Sequence, residues 1–358
     1  MKKITTAILS MAFTFTVCGL PGCSDSENDV ETVQPNDSVA NDPNLMPGTG
    51  GGYLFLHMTN ADYGRLFYSV SRDGISWTTL NGGEMISRFY NGHPGVCRGG
   101  DGKWYMISMS STEQPYYPVL WYTDDLITWK HRDLPSSMQD LSDYKENGHP
   151  WSTEHGWYGA PKMFYDEASG QYMITWHAGR SDVTLWTDDY YHSNRTFYTL
   201  TRDFQTFTKP QRLFHFEGHE SLPTIDAIII KSGSTYYAVY KHDTWFDDVW
   251  AGQDGLDRNC LHIAHSSSLT GPYVTGNKIY ETSEYLEAPT VVPSPDGKRW
   301  YLYAEAYVSA GKPYRMFSAP SLDTPLWTPV TINPPKARHG NMLRLDEDTY
   351  MNVVRAFE

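Results

Sequence analysis

The chain has 358 residues, of which 28 are Lys or Arg and 42 are Asp or Glu, giving a formal net charge of −14. With no basic cluster anywhere along it, that balance excludes a nucleic-acid face and a broad basic surface for anionic polysaccharide. Aromatic residues make up 15%, including 12 Trp and 26 Tyr; such rings stack on the C–H faces of sugars, but they also favour β-strands in any protein.

Met1–Cys23 begins with Lys2 and Lys3, continues through an apolar run from Ala7 to Val17, and ends in Leu20, Pro21, Gly22 and Cys23. The run is too short for a permanent bilayer span and has the pattern of a cleaved secretory signal. It resembles a bacterial lipoprotein signal, which implies acylation of Cys23 and a protein tethered to the cell envelope, periplasmic or at the cell surface. Residues 24–50 are rich in Ser, Asp, Asn, Pro and Gly and read as a disordered linker. Cys18 lies within the signal and Cys23 is the lipid site, so only Cys97 and Cys260 could pair; no disulfide framework is implied. Residues 51–358 contain no polar break and are expected to form one domain, acting as a monomer.

That domain reads as strand and turn throughout, with no convincing helical period. Paired strands around a turn are expected at Gly95–Ser108, Ala160–Trp176, Asp226–Tyr240 and Ala288–Ala304. A third strand with a Ser/Thr/Asp phrase ending in an aromatic recurs at Phe67–Trp77, Leu120–Trp129, Phe197–Phe207, Leu261–Tyr273 and Met316–Trp327. Self-similarity at this spacing in an all-β chain predicts a five-bladed β-propeller. The fifth inner pair is expected from the two termini, with Gly52–His57 from one side and Arg338–Leu345 and Tyr350–Val354 from the other.

The residues just before each innermost strand should encircle one mouth of the central channel. They are His93, Gly159 beside Tyr158, Asp226, Glu287 and His339. Each taken singly has a structural explanation, such as a turn-closing aspartate or a histidine bonded to a carbonyl. Their recurrence at equivalent positions is what suggests a pocket. Glu287 lies among Leu286, Ala288 and Pro289, and burial in such surroundings would raise its pKa, as a general acid requires.

The phrases Thr79–Gly83, Arg98–Gly102, Trp157–Glu167, Thr201–Phe207, Ile225–Ile230, Glu287–Thr290 and Ala337–Gly340 together resemble glycoside hydrolase family 43, in order and over nearly the whole domain. The resemblance implies an exo-acting, inverting glycosidase on neutral polysaccharide side chains bearing arabinofuranosyl, xylosyl or galactosyl groups. By matching motif, Glu287 falls on the general acid, Asp226 on the aspartate that tunes it, and His339 on a channel histidine that touches a central metal or water. No cofactor is implied as required, and a structural calcium ion in the channel is the one metal the family suggests. Trp157, Tyr158 and His242 are the expected substrate contacts.

The departure is at the base, where His93 follows Gly92 in place of the family's Arg-Asp-Pro aspartate. A neutral imidazole can take a proton from water, so His93 is the first candidate for the base. Asp62, Glu154, His155, Asp243, Asp247 and Asp248 are further candidates. Two functions stay open: a glycosidase, and a glycan-binding lipoprotein that has lost catalysis.

Overall fold

The computed structural model describes residues 42–110, 116–151, 159–242, 260–280 and 284–358. The signal peptide, most of the linker, Trp157, Tyr158 and the alternative bases Glu154, His155, Asp243, Asp247 and Asp248 lie outside them. The chain forms five four-stranded antiparallel sheets, the blades of a five-bladed propeller. From inner to outer strand, blade one is Val96–Arg98, Trp104–Met109, Pro118–Thr123 and Lys130–Asp133. Blade two is Gly159–Asp166, Gln171–Ala178, Arg195–Thr201 and Gln211–Arg212. Blade three is Thr224–Ser232, Thr235–His242, Leu261–Ser266 and Val274–Lys278, and blade four is Glu287–Pro293, Trp300–Glu305, Tyr314–Ala319 and Thr328–Val330. The closing blade takes Arg338–Leu345 from the C-terminal side as its innermost strand and completes it with Gly52–Met58, Phe67–Ser71 and Thr78–Thr79.

After three of the third strands the repeated phrase has the same local cause. Asp73 Oδ1 accepts the amides of Ile75 and Ser76, Asp125 Oδ1 those of Ile127 and Thr128, and Asp203 Oδ1 those of Gln205 and Thr206, all at 2.7–2.9 Å. These are Asx turns. The residue after each aspartate, Gly74, Leu126 or Phe204, takes the left-handed conformation. Most of the aromatic excess is spent on packing blade against blade. Trp176, Tyr53, Tyr68, Tyr240, Tyr303, Tyr314 and Phe55 are fully buried. Phe55 of the closing blade meets Tyr314 of blade four edge-on, with ring centroids 5.0 Å apart.

The ring closes where Gly52–Met58 pairs with Arg338–Leu345 from Gly52 opposite Leu345 to Met58 opposite Arg338. Two expectations are corrected here. Tyr350–Val354 is not a strand; it lies in the helix Glu347–Phe357, and a second short helix occupies Asp188–Ser193. Asp346 caps the C-terminal helix by accepting the Thr349 amide at 2.8 Å, and Tyr350, Val353 and Val354 point into the core. The cap outweighs the strand propensity of a Tyr/Val-rich stretch. Residues 42–50, expected to belong to a disordered linker, instead pack on the propeller: Leu45 is buried in the core and Asp42 accepts the Thr78 hydroxyl at 2.6 Å. Cys97 and Cys260 are not joined in a disulfide.

Tyr350 is fully buried, and the Arg72 guanidinium lies 4.0 Å from its ring centre. Tyr350→Ala is expected to cost about 3–5 kcal/mol, as other large-to-small aromatic truncations do. Urea unfolding should show a lower midpoint at unchanged slope; a loss below about 1 kcal/mol would mean that the helix does not help hold the ring.

Candidate active site at the channel mouth

The inner strands of blades two, three and four each begin with a bulge. Gly159 pairs with His177 and Lys162 with Thr175; Ile225 pairs with Lys241 and Ile228 with Val239; Glu287 pairs with Glu305 and Thr290 with Tyr303. One extra residue is thus accommodated in each, and Ala160, Asp226 and Ala288 hold the bulge at φ of 41°, 54° and 51°. Such values are uncommon for residues with a Cβ and store strain, a feature that clusters at functional sites. The registers correct the expected equivalence by one residue: Glu287 corresponds to Ile225 and Gly159, whereas Asp226 corresponds to Ala288 and Ala160. The offset lets the two carboxylates come from neighbouring blades toward one point.

The same bulges join each blade to the next. Asp226 Oδ2 accepts the Ala288 amide at 3.0 Å, and Thr175 Oγ1 donates to the Ala227 carbonyl at 3.2 Å. Lys162 Nζ donates to the Pro94 carbonyl at 2.9 Å, and Asn341 Oδ1 accepts the Val96 amide. Thr290 Oγ1 accepts the Met342 amide at 3.0 Å, and Glu305 Oε2 accepts the His339 amide at 3.0 Å. Blades two, one, closing, four and three are therefore linked in a complete polar belt. A Cβ at Gly95 would come within 2.7 Å of the Lys162 side chain and 3.0 Å of the Pro161 carbonyl oxygen, so a larger residue there would displace Lys162.

Asp226, Glu287 and His339 place one side-chain donor atom each within 4.8 Å of one another. His339 Nε2 lies 3.2 Å from Glu287 Oε1, and Lys241 Nζ lies 3.3 Å from Glu287 Oε2. Arg338 Nη2 is 3.8 Å from Glu287 Oε1, and its Nε pairs with the fully buried Glu305. His93 stacks on His339 with centroids 4.2 Å apart and planes at 22°, and its Nε2 lies 3.0 Å from the Tyr63 hydroxyl. His177 Nδ1 is 4.0 Å from Asp226 Oδ1. Four sequence candidates, Glu287, Asp226, His93 and His339, are thus brought together.

His242 is not among them. It is fully buried with its ring 6.2 Å from that of His262, because strand alternation sends it away from Lys241, which reaches the mouth instead. Asp62 is an exposed loop residue whose amide donates to Thr59 Oγ1. Lys241, Glu305, His177, Arg338, Tyr63 and Lys162 belong to the mouth and were not singled out by sequence. A mouth residue on the second strand can be found only by pairing it with the start of the first.

The electrostatics correct the expected state of Glu287. Burial alone would push its carboxyl up, but Lys241, His339 and Arg338 outweigh burial and hold it at about 2. Burial opposes a charge on His339, yet its hydrogen bond to Glu287 and the charges of Glu287, Asp226 and Glu305 raise it above 6.5. Burial, then the charges of His339, Lys162, His177 and Arg338, drive His93 well below 6.5. The two stacked imidazoles are therefore pushed in opposite directions, His339 up by its contact with Glu287 and His93 down by burial. Glu305 is raised, chiefly by burial and with Glu287 adding to it.

Asp226, Glu287 and His339 are close enough to share a cation but do not suit calcium. Calcium takes six to eight oxygen ligands, whereas Glu287 is already paired with two cations and Asp226 Oδ2 with an amide.

Ring-nitrogen NMR across pH 5–8 should find His93 neutral throughout and His339 still charged at pH 6.5. The sign for stability follows. The His339 contribution is complete below pH 6.5 and lost as pH rises through its folded value; that of Glu287 is present above its unfolded 4.5 and lost as pH falls toward 2. A His93 that titrates near 6.5 would contradict these opposite shifts.

A cavity of about 810 Å³ is lined by inner-strand residues, among them Ile228, Ile229, Ile230, Val291, Met342 and Lys162. It contains no carboxylate of the cluster, so size alone does not mark the chemistry.

A family profile described as a probable glycosyl hydrolase domain, related to glycoside hydrolase family 43, matches residues 49–350. Comparison with curated proteins gives no match. Among solved structures, an inulosucrase from Halalkalicoccus jeotgali bound to kestose aligns with TM-score 0.50 and 13% identity, covering 82% of this chain and 86% of that one. A thermostable family-43 glycoside hydrolase gives 0.46 and 20%, covering 68% and 72%. Xyloglucan PUL GH43B from Bacteroides ovatus gives 0.46 and 15%, covering 70% of this chain; the chain spans 42% of that protein's length. At such identities the likeness speaks for fold alone.

Proposed function

From the premise that the chain belongs to the family of probable glycosyl hydrolase domains related to glycoside hydrolase family 43, we propose that it is an exo-acting glycoside hydrolase. It removes a neutral arabinofuranosyl, xylosyl or galactosyl residue from a polysaccharide side chain with inversion. The observation that carries this reading is the stacking of His93 on His339 at 4.2 Å between ring centroids, with His339 Nε2 in turn 3.2 Å from Glu287 Oε1. Groups whose environments push their pKa values apart divide acid from base.

The roles follow from where the protons sit. His339 holds a proton on Nε2 against Glu287 Oε1 at 3.2 Å. When a bound sugar displaces water from the mouth, a charged pair loses solvation and the proton moves to Glu287, which passes it to the leaving oxygen. Neutral His93 accepts a proton from the attacking water. Asp226 holds the bulge that aims Glu287 and supports the positive charge on His339. Its Oδ2 bond to the Ala288 amide and its burial disfavour attack on the sugar by this carboxylate, which favours inversion over a covalent intermediate. The chemistry needs no resident metal.

A second reading has its own observation. A glutamate held at about 2 beside an imidazole that replaces the family aspartate also suits a pocket that binds glycan without cleaving it. Incubating the purified protein with aryl α-L-arabinofuranosides, β-xylosides and galactosides, with calorimetry on the matching oligosaccharides, separates the two. Release of phenol supports the hydrolase, whereas binding without release supports the second reading. We further propose that the protein acts as a monomer anchored to the bacterial envelope through acylated Cys23, for which mass spectrometry of the mature N-terminal peptide is the test.

A further inference from the structure

Tyr63 stands between solvent and His93. It lies in the loop of residues 59–66, which joins the second and third strands of the closing blade, and it is 41% exposed whereas His93 is 4% exposed. The Tyr63 hydroxyl is 3.0 Å from His93 Nε2, and the two rings meet edge-on with centroids 5.5 Å apart. Of the two ring nitrogens of His93, Nδ1 is buried and Nε2 faces the phenol. Water that enters the mouth therefore meets the Tyr63 hydroxyl before it meets the imidazole.

The loop is tied down on both sides of this residue. Arg338 Nη1 donates to Asn60 Oδ1 at 3.1 Å, the Gly92 amide donates to the Gly64 carbonyl at 3.0 Å, and Arg65 Nη1 donates to the Tyr90 carbonyl at 3.1 Å. Two of these bonds join the loop to the segment that carries His93, and the third joins it to the arginine beside Glu287. The Arg338 guanidinium also lies 5.5 Å from the Tyr63 ring centre. The phenol is thus held in one place over the imidazole, as proton transfer requires. The Tyr63 ring is 6.3 Å from that of His339, whose Nε2 is 3.2 Å from Glu287 Oε1, so phenol and acid are linked through one imidazole. A phenolic hydroxyl both donates and accepts, which lets it take up one proton as it gives away another.

We infer that Tyr63 is a further catalytic residue of this site, its hydroxyl contacting the attacking water and relaying the water's proton to His93. The inference rests on the hydrolase reading and deepens it. In the reacting step the water oxygen bonds to the anomeric carbon and its proton passes to the Tyr63 oxygen, while the Tyr63 hydroxyl proton passes to His93 Nε2. The bond from the anomeric carbon to the leaving oxygen breaks, and that oxygen takes the proton held between His339 and Glu287. Because both transfers at Tyr63 occur together, no free phenolate forms. Loss of the His93 proton to solvent and reprotonation of the His339–Glu287 pair restore the site.

The test compares the full-length parent, Tyr63→Phe, His93→Ala and the double variant on whichever activated aryl glycoside the parent hydrolyses. Tyr63→Phe keeps the ring and removes only the hydroxyl. It should lower kcat by about 10²-fold, the lower end of general base catalysis, and leave KM unchanged. In the His93→Ala background it should cost nothing further, because the two groups act as one unit. Ring-nitrogen NMR of the parent should find the His93 proton on Nδ1, with Nε2 accepting the Tyr63 hydroxyl, and the Nε2 signal should move in Tyr63→Phe. Unchanged kcat in Tyr63→Phe, with or without a raised KM, overturns the relay, and so does a full independent loss in the double variant or a His93 proton found on Nε2. Hydrolysis by the parent would in each of those cases still stand for the enzyme. A parent that releases phenol from none of the aryl glycosides removes the relay and the hydrolase reading together.

Discussion

Glu287→Gln is expected to lower turnover on glycosides with poor leaving groups by roughly 10²–10⁴, the range of general acid catalysis. The amide keeps the shape of the side chain but carries no transferable proton. The loss should shrink on activated aryl glycosides, whose leaving oxygen departs without protonation. A second consequence is particular to this site. Glu287 contributes most to raising His339, ahead of Asp226 and Glu305, so the amide should let the His339 ring lose its proton at lower pH while the propeller stays folded. Normal turnover in Glu287→Gln would mean that the acid lies elsewhere.

His93→Ala carries the next largest effect, again a fall of about 10²–10⁴ in kcat with little change in KM, if the imidazole takes the proton from water. His93 is buried and neutral, so the acidic limb of the pH–rate profile should lie well below pH 6.5; the basic limb should follow loss of the proton that His339 and Glu287 hold between them. The limbs belong to the coupled group and not to either residue alone. His93→Asp, which restores the family's carboxylate, is expected to recover part of the rate with a shifted acidic limb. A His93→Ala variant with raised KM and unchanged kcat would reassign His93 to holding a substrate hydroxyl.

The propeller is legible in the sequence because each blade repeats a hairpin and, in three of them, an Asx-turn phrase whose aspartate bonds its own backbone. The C-terminal helix is not, since Tyr350–Val354 has the composition of a strand and only Asp346 signals the cap. Glu287, Asp226, His93 and His339 can be found because each stands at the start of an inner strand. His177, Lys241 and Glu305 come one residue after the second-strand runs ending at Trp176, Tyr240 and Ala304, and only the hairpin register sets them beside the first strand. For the same reason the charge on Glu287 cannot be read locally. Its chain neighbours Leu286, Ala288 and Pro289 are apolar, whereas the cations that hold it ionised arrive from blade three and the closing blade.

The most direct test of the proposed chemistry is to follow the anomeric proton by NMR while the protein hydrolyses whichever aryl glycoside it accepts, in the first minutes before mutarotation. With His93 activating water on one side and Glu287 protonating the leaving oxygen on the other, the first sugar formed should have inverted configuration. A retained configuration would require a carboxylate nucleophile and a covalent intermediate, and would contradict these roles for His93 and Asp226.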